Sequence, residues 1–216
     1  MNKITKNLDM LMTLDKKTYA IDPKCYMGTK TNKTQIILGG SLRKDSNYIK
    51  HLKIKDNGFT KRWCTYTVSR DGKIYEHYDP QNLYTDYMNV KEIDKKSISI
   101  VLENMGMLYF DNTREAFVNW IDEICDEKMV YERQWKNYRY WEKYTDQQYD
   151  ALANLCTNLC KEHKIRLDCV GHNVFDPDAI DFEGIVTRSN IDSDYTDLNP
   201  SFDYQKFLKM LNISME

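Results

Sequence analysis

The pattern of hydrophobic and polar positions predicts four strands in the first half of this 216-residue chain. A short apolar run, "TQIILGG" (34–40), stops at two glycines, as a buried strand stops at a turn. In "WCTYTVSRDGKIYEHY" (63–78), two alternating runs flank Arg70-Asp71-Gly72, which predicts a β-hairpin with a type I′ turn. The nearly continuous apolar run "SISIVLENMG" (97–106) predicts a strand in the middle of a sheet.

Helical spacing of apolar residues predicts the remaining elements. Residues 42–62 are typical of a short amphipathic helix followed by a reversal at Asn57-Gly58. Apolar positions recur at helical spacing in 113–135, and 145–165 begins with a capping box. We expect a surface segment at 136–144, a short strand entering a loop at 169–177, irregular chain after it, and a final amphipathic helix within 199–212.

Strands that alternate with helices around one sheet predict a single-domain α/β fold, with a central mixed β-sheet flanked by helices. We expect an N-terminal arm over residues 1–33 and the folded domain over residues 34–216. The length suits one domain with a full core.

Charge and composition exclude several classes of partner. The chain has 31 Lys and Arg against 33 Asp and Glu, so we expect neither nucleic acid nor a membrane surface as a partner. Residues 1–14 lack the pattern of a signal peptide, and no run approaches the roughly 20 apolar residues of a membrane helix. The six cysteines are expected to be reduced thiols; Cys156 and Cys160 share one helix face with leucines. The dense aromatic run within 138–144 suggests a contact surface.

Six segments in this order resemble the zinc-dependent N-acetylmuramoyl-L-alanine amidase and peptidoglycan-recognition family. The resemblance extends from about Thr34 to Leu211, and each motif is weak alone but the ordered set is specific. The segments are the first strand, "RDGKIYEHYDP" (70–80), "SISIVLENMG" (97–106), "YTDQQYDALANLCTNLCKEHKI" (144–165), "GHN" (171–173) and "TDLNPSFDYQKF" (196–207).

The resemblance implies a metal site that is incomplete in this chain. A catalytic zinc site needs three protein ligands and one open position for water. The family places its ligands at the end of the first strand, at the GH, and at the Asp of the closing motif; His172 matches the second and Asp197 the third. The first position holds Gly39, followed by Gly40, and glycine has no side chain to bind a metal. We therefore expect no cofactor, with zinc only if the protein is active.

Neighbouring family positions are altered as well. Val101 stands where many members have a glutamate, and Glu103 follows two residues later on the same strand face. Tyr195 stands where a lysine often precedes the third ligand. Glu103 and Tyr195 are therefore the candidate catalytic residues. Cys64 and Thr65 occupy the positions of a Tyr-His pair, and Cys64 is the nearby thiol that could replace the missing ligand.

Ordinary structural roles stay open for these residues. His172 could cap its own loop, Asp197 could be a turn carboxylate, and Glu103 could be solvated at a strand end. His51 and His77 are expected at the surface.

Two functions follow from the resemblance. The first is a non-catalytic, phage-encoded module that binds peptidoglycan or has a structural role in the virion with other virion proteins as partners. We expect such a module to be made in the bacterial host cytoplasm. The second is an active, endolysin-like N-acetylmuramoyl-L-alanine amidase, which cleaves the bond between muramic acid and L-alanine. Under the first, Gly39→His is expected to complete a zinc site with His172 and Asp197.

Overall fold

The computed structural model describes residues 14–44 and 46–213. Its strands are β1 (Leu14–Asp15), β2 (Met27–Gly28), β3 (Gln35–Gly40), β4 (Tyr66–Val68), β5 (Ile74–Glu76), β6 (Leu83–Tyr84), β7 (Ser97–Leu102), β8 (Met107–Asp111), β9 (Ala116–Val118), β10 (Val130–Trp135), β11 (Tyr138–Glu142) and β12 (Gly184–Thr187). Its α-helices are α1 (Asn47–Ile54), α2 (Lys91–Lys96), α3 (Asp146–His163), α4 (Arg188–Ile191) and α5 (Tyr204–Met210). Short 3-10 helices span Pro23–Cys25, Lys55–Gly58, Glu127–Met129 and Pro177–Ile180.

A six-stranded mixed sheet with the order β1-β5-β4-β7-β3-β12 forms the centre of the fold. Strands β4, β7, β3 and β12 run parallel to one another, so their carboxyl ends meet at one edge. All six residues of β3 and of β7 are buried. The predicted strands at 34–40 and 97–106 and the α/β class are therefore confirmed.

Each face of the central sheet buries its own apolar cluster, because side chains alternate along a strand. Ile36, Leu38 and Ile100 pack on one face against the helices α3 and α5. Ile37 and Val101 lie on the opposite face, which is also the face of Gly39. The site therefore lies on the face away from the long helix.

The long helix α3 begins and packs as its sequence predicts. The Thr145 hydroxyl accepts a hydrogen bond from the Gln148 amide, and the Gln148 side chain accepts one from the Thr145 amide. Cys156 and Cys160 are buried in the apolar cluster beneath this helix as free thiols. Their spacing is a packing pattern, as expected.

The helix predicted over 113–135 is wrong. This region forms strands β9 and β10, which join β11 and β8 in a four-stranded antiparallel sheet with the order β10-β11-β8-β9. Between β9 and β10, the Asn119 carboxamide oxygen accepts hydrogen bonds from the Ile121 and Glu123 amides and turns the chain. Such local bonds compete with a helix, and Trp120 and Ile124 stay 52% and 50% exposed rather than forming a buried stripe.

Three smaller predictions also need correction. The hairpin between β4 and β5 exists, but only Gly72 in its turn has a positive φ, of 82°, whereas a type I′ turn requires it at both central residues. The segment 136–144 contains β11, whose Trp141 is fully buried. The stretch expected to be irregular after 177 contains β12 and α4.

The predicted arm falls partly outside the described residues, which begin at Leu14. Within the described part, β1 pairs with β5 and β2 pairs with β6. The boundary at residue 33 stays a prediction. Over residues 14–44 and 46–213, no helix combines the length and apolarity that a bilayer crossing requires.

Candidate functional site

The space beside Gly39 is filled by three polar side chains. Gly39 lies near the carboxyl end of β3, where its Cα pairs with that of Val101. A Cβ atom added to Gly39 would lie 2.2 Å from the Tyr87 hydroxyl oxygen and 2.9 Å from both Arg188 Nε and Asp197 Oδ2. Real Cβ contacts are not that short, so no side chain fits here unless these groups move.

Arg188 and Asp197 form a nearly buried ion pair next to this glycine. Arg188 Nε donates to Asp197 Oδ2 at 2.5 Å, and the two side chains are 13% and 2% exposed. Arg188 Nη2 donates to the Gly40 carbonyl at 2.9 Å, while the Gly40 amide donates to Asp197 Oδ2 at 2.8 Å. Burial opposes the charge of the guanidinium, but the Asp197 carboxylate outweighs it and holds the pKa of Arg188 above its ordinary value.

Two tyrosine rings enclose the guanidinium of Arg188. Its central carbon lies 5.3 Å from the ring centroid of Tyr87 and 4.6 Å from that of Tyr195. Such contacts stabilise a desolvated cation. The Tyr87 hydroxyl is buried and has no hydrogen-bond partner among the described residues. Tyr195, a predicted catalytic residue, therefore lies at the site as a ring against Arg188.

The end of β12 positions Arg188. Parallel pairing sets Thr187 opposite Leu38, so the next residue emerges beside the β3 glycines. Thr187 caps α4 in a capping box with Asn190, which starts the helix at Arg188. Sequence reasoning missed Arg188 because it missed β12; the Thr-x-x-Asn capping pattern within "GIVTRSN" was the available signal.

The structure places His172 on an exposed loop. Its Nδ1 accepts a hydrogen bond from the Val174 amide at 3.3 Å and lies 3.3 Å from Asn190 Nδ2. Asn190 also donates to the carbonyls of His172 and Val174, at 2.9 and 2.8 Å. His172 thus makes the contacts of a residue that caps its own loop, which is the structural role that the sequence had left as an alternative.

Glu103 follows β7 and is buried, 4% exposed. Its carbonyl accepts a hydrogen bond from Gln148 Nε2 at 2.7 Å. Its amide donates to the Val68 carbonyl at 2.9 Å, so Glu103 lies beside the end of β4. The alternative of a solvated strand end is therefore wrong, and its predicted catalytic role stays a prediction.

Cys64 and His77 are both buried. Cys64 packs with Ile37 and Val101 on the Gly39 face, where burial raises the pKa of its thiol to about 11. A protonated thiol is a poor metal ligand. His77 is 2% exposed and bonds Thr67 and the Tyr19 carbonyl, so its expected surface position is wrong.

These residues do not fit the catalytic zinc ion that the resemblance implies. The first ligand position has no side chain. Oδ2 of Asp197 accepts from a guanidinium and a backbone amide, and only Oδ1 is buried without a hydrogen-bond partner among the described residues, whereas a zinc site needs three protein ligands. Across the part of the chain that the structure describes, no three or more His, Cys, Asp or Glu side chains are grouped to hold a metal. The Arg188 guanidinium lies beside Gly39 and Asp197, two of the three positions at which the resemblance implies zinc ligands.

Comparison with protein families matches residues 39–188 to the family described as N-acetylmuramoyl-L-alanine amidase. This match covers more than half of the chain. The chain belongs to this family. None of the curated proteins matches it.

Solved structures support the amidase fold. N-acetylmuramoyl-L-alanine amidase LysC from Clostridium intestinale URNW is 13% identical, with a TM-score of 0.57 over 94% of this chain and 99% of that chain. AmiD from E. coli, in complex with the substrate anhydro-N-acetylmuramic acid-L-Ala-D-gamma-Glu-L-Lys, is 14% identical, with a TM-score of 0.53 over 88% of this chain and 60% of that chain. AMPDH3 from Pseudomonas aeruginosa, in complex with anhydromuramic pentapeptide, is 13% identical, with a TM-score of 0.52 over 94% and 67%. At these identities the likeness shows the fold alone.

Proposed function

We propose that this protein is a non-catalytic member of the amidase family that binds peptidoglycan. The observation that carries the proposal is the ion pair between Arg188 and Asp197 beside Gly39. A zinc enzyme needs an exchangeable water on the metal to attack the amide carbonyl. A guanidinium supplies positive charge and hydrogen-bond donors at this place, but it cannot activate water in that way.

Binding of peptidoglycan is supported by the family and by the ligands of two relatives. AmiD and AMPDH3 are described in complex with anhydromuramic peptides. Loss of a metal removes the hydrolytic step without removing the fold that surrounds it. In this proposal Tyr195 positions Arg188 through its ring, and Glu103 supports the end of β7.

Metal content and wall binding together test the proposal. Protein purified without added metal is expected to contain well under one zinc ion per chain, because the ligand set is incomplete. The protein is expected to sediment with purified peptidoglycan sacculi and to release no stem peptides from them. The E. coli amidase AmiD is the positive control for peptide release.

The alternative function is an active N-acetylmuramoyl-L-alanine amidase, in which His172 and Asp197 hold zinc and Glu103 and Tyr195 assist. Peptide release that EDTA abolishes and zinc restores would establish this alternative and overturn the proposal. Failure to sediment with sacculi would remove peptidoglycan as the partner.

A phage origin and a place in the virion extend this proposal. They rest on the resemblance to endolysin-like proteins and predict virion proteins as further partners. Mass spectrometry of purified particles, if a producing phage is isolated, tests this extension separately from wall binding.

A further inference from the structure

A basic cavity of about 310 Å³ opens beside Arg188 at the carboxyl edge of the parallel strands. Ligands of open α/β sheets commonly bind outside this edge. The basic side chains of its lining come from separate elements: the loop after β3, helix α1, the 3-10 helix Lys55–Gly58, the chain before β4, and α4. They are Arg43, His51, Lys55, Arg62 and Arg188.

The charges around the basic cavity are poorly balanced. None of its described lining residues is an Asp or Glu. Arg43, Lys55 and Arg62 form no salt bridge with any carboxylate in 14–44 or 46–213, in contrast to Arg188. The positive charges affect His51. Burial lowers the pKa of His51 most, Arg43 and Lys55 lower it further, and Asp56 has a smaller effect in the opposite direction.

An aromatic side chain at the rim of the basic cavity is held in place although it is exposed. Trp120 Nε1 donates to the Leu42 carbonyl at 2.8 Å. The Arg43 guanidinium lies over the Trp120 ring at 4.9 Å from its centroid. The rim thus presents a fixed apolar ring beside a fixed cation, and Tyr87 also lines the cavity.

We propose that the basic cavity binds a phosphate group carried by a sugar of the cell wall. This inference rests on the proposed wall-binding function and names a chemical group that the site would recognise. A carboxylate brings one negative charge, whereas a phosphate monoester brings about 1.5 to 2 charges and three strong acceptor oxygens. Three cations that form no salt bridge within residues 14–44 and 46–213 line one small cavity and match the phosphate better, and the ring of Trp120 provides a surface for the sugar.

Isothermal titration calorimetry with four probes tests the inference. N-acetylglucosamine 6-phosphate is expected to bind at least about tenfold more tightly than N-acetylglucosamine, muramyl dipeptide or inorganic phosphate. The affinity for the sugar phosphate should fall as salt concentration rises. The double variant Arg43→Gln/Arg62→Gln should bind the sugar phosphate about tenfold or more weakly. The matched control Lys50→Gln changes an exposed residue of α1 outside the cavity and should keep the wild-type affinity.

Each other result overturns the inference in a defined way. If the sugar and the sugar phosphate bind equally, the cavity does not recognise the phosphate. If muramyl dipeptide binds more tightly than the sugar phosphate, the cavity recognises a carboxylate instead. If inorganic phosphate binds as tightly as the sugar phosphate, the cavity does not recognise the sugar. If the double variant and the wild-type protein have equal affinity for the sugar phosphate, and circular dichroism shows that both are folded, the cavity is not the binding site.

Sacculi distinguish this inference from the proposed function. If the wild-type protein sediments with sacculi stripped of phosphate while N-acetylglucosamine 6-phosphate does not bind, the inference fails and wall binding stands. If the sugar phosphate binds but the protein sediments with neither stripped nor unstripped sacculi, the proposed peptidoglycan binding is wrong. The sugar phosphate that the cavity recognises then does not come from the wall.

Discussion

The Nε atom of Arg188 lies 2.5 Å from the Oδ2 atom of Asp197, next to a glycine that leaves room for both. The sequence led us to expect Asp197 as a zinc ligand. Here its carboxylate is neutralised by a cation of the chain itself. The buried position makes each partner dependent on the other, because an unpaired buried charge is costly.

Removing one partner of this ion pair should destabilise the protein more than removing both charges. Arg188→Met is expected to lower the free energy of unfolding by about 3–5 kcal/mol, because Asp197 remains buried without its cation. Arg188→Met/Asp197→Asn should recover part of this loss, since Asn keeps an acceptor for the Gly40 amide. Urea unfolding of the single and double variants measures the coupling.

The exposed ion pair between Arg139 and Glu132 is the control. Both side chains are more than half exposed, so Arg139→Met should cost less than about 1 kcal/mol. If Arg188→Met costs no more than Arg139→Met, Arg188 does not compensate the charge of Asp197.

Gly39→His alone is expected to bind no zinc, contrary to the expectation from sequence. The new Cβ would meet the Tyr87 hydroxyl at 2.2 Å, and Arg188 would remain paired to the carboxylate. Gly39→Ala isolates the steric cost, which should be about 1–3 kcal/mol. Thermal unfolding with and without zinc measures both effects.

Gly40→Ala is the matched control for the adjacent position. Its Cβ would lie 3.4 Å from the Asp197 Cβ, an ordinary contact, so the melting temperature should change much less than in Gly39→Ala. Micromolar zinc binding by Gly39→His would show that Tyr87 and Arg188 move aside easily.

His172→Ala and Ile100→Ala should differ sharply in stability. His172 is exposed, and within the described part of the chain its ring bonds its own loop and Asn190, so its loss should cost on the order of 1 kcal/mol. Ile100 is fully buried in β7, and its truncation should cost about 2–4 kcal/mol through a cavity. Urea unfolding compares them, and an equally large loss in His172→Ala would point to a bound metal or a larger structural role.

His77 should make the protein less stable in acid. Burial lowers the pKa of His77 to about 4, whereas the unfolded chain has an ordinary histidine pKa near 6.5. The unfolded state therefore binds the proton first, so stability is complete above pH 6.5 and falls as the pH drops towards 4, by about 3 kcal/mol. Urea unfolding between pH 7 and 4 measures this loss.

His77→Gln should flatten that part of the pH profile relative to the wild-type protein. His172→Gln, at an exposed position, should leave the profile as it is. Comparing variants at each pH cancels the other titrating groups. A wild-type slope that persists in His77→Gln would assign the acid sensitivity elsewhere.

Local patterns in the sequence determined the parts of the fold that depend on neighbours along the chain. The runs at β3 and β7 are mainly apolar on both faces, which predicts strands buried on both sides, and the Thr145 capping box starts α3. The order of motifs indicated the family, and the missing side chain at Gly39 was visible directly. These features need no knowledge of distant contacts.

Tertiary structure alone decided how the space beside Gly39 is filled. Arg188 and Tyr87 lie far from Gly39 in sequence, and only the pairing of β12 with β3 brings the arginine to it. Likewise, residues 113–135 have helical spacing, but Asn119 turns the chain and antiparallel pairing provides the backbone hydrogen bonds. The physical reason is the same in both cases. Burial and charge compensation depend on residues that the fold brings together, and the spacing of residues along the chain does not predict those contacts.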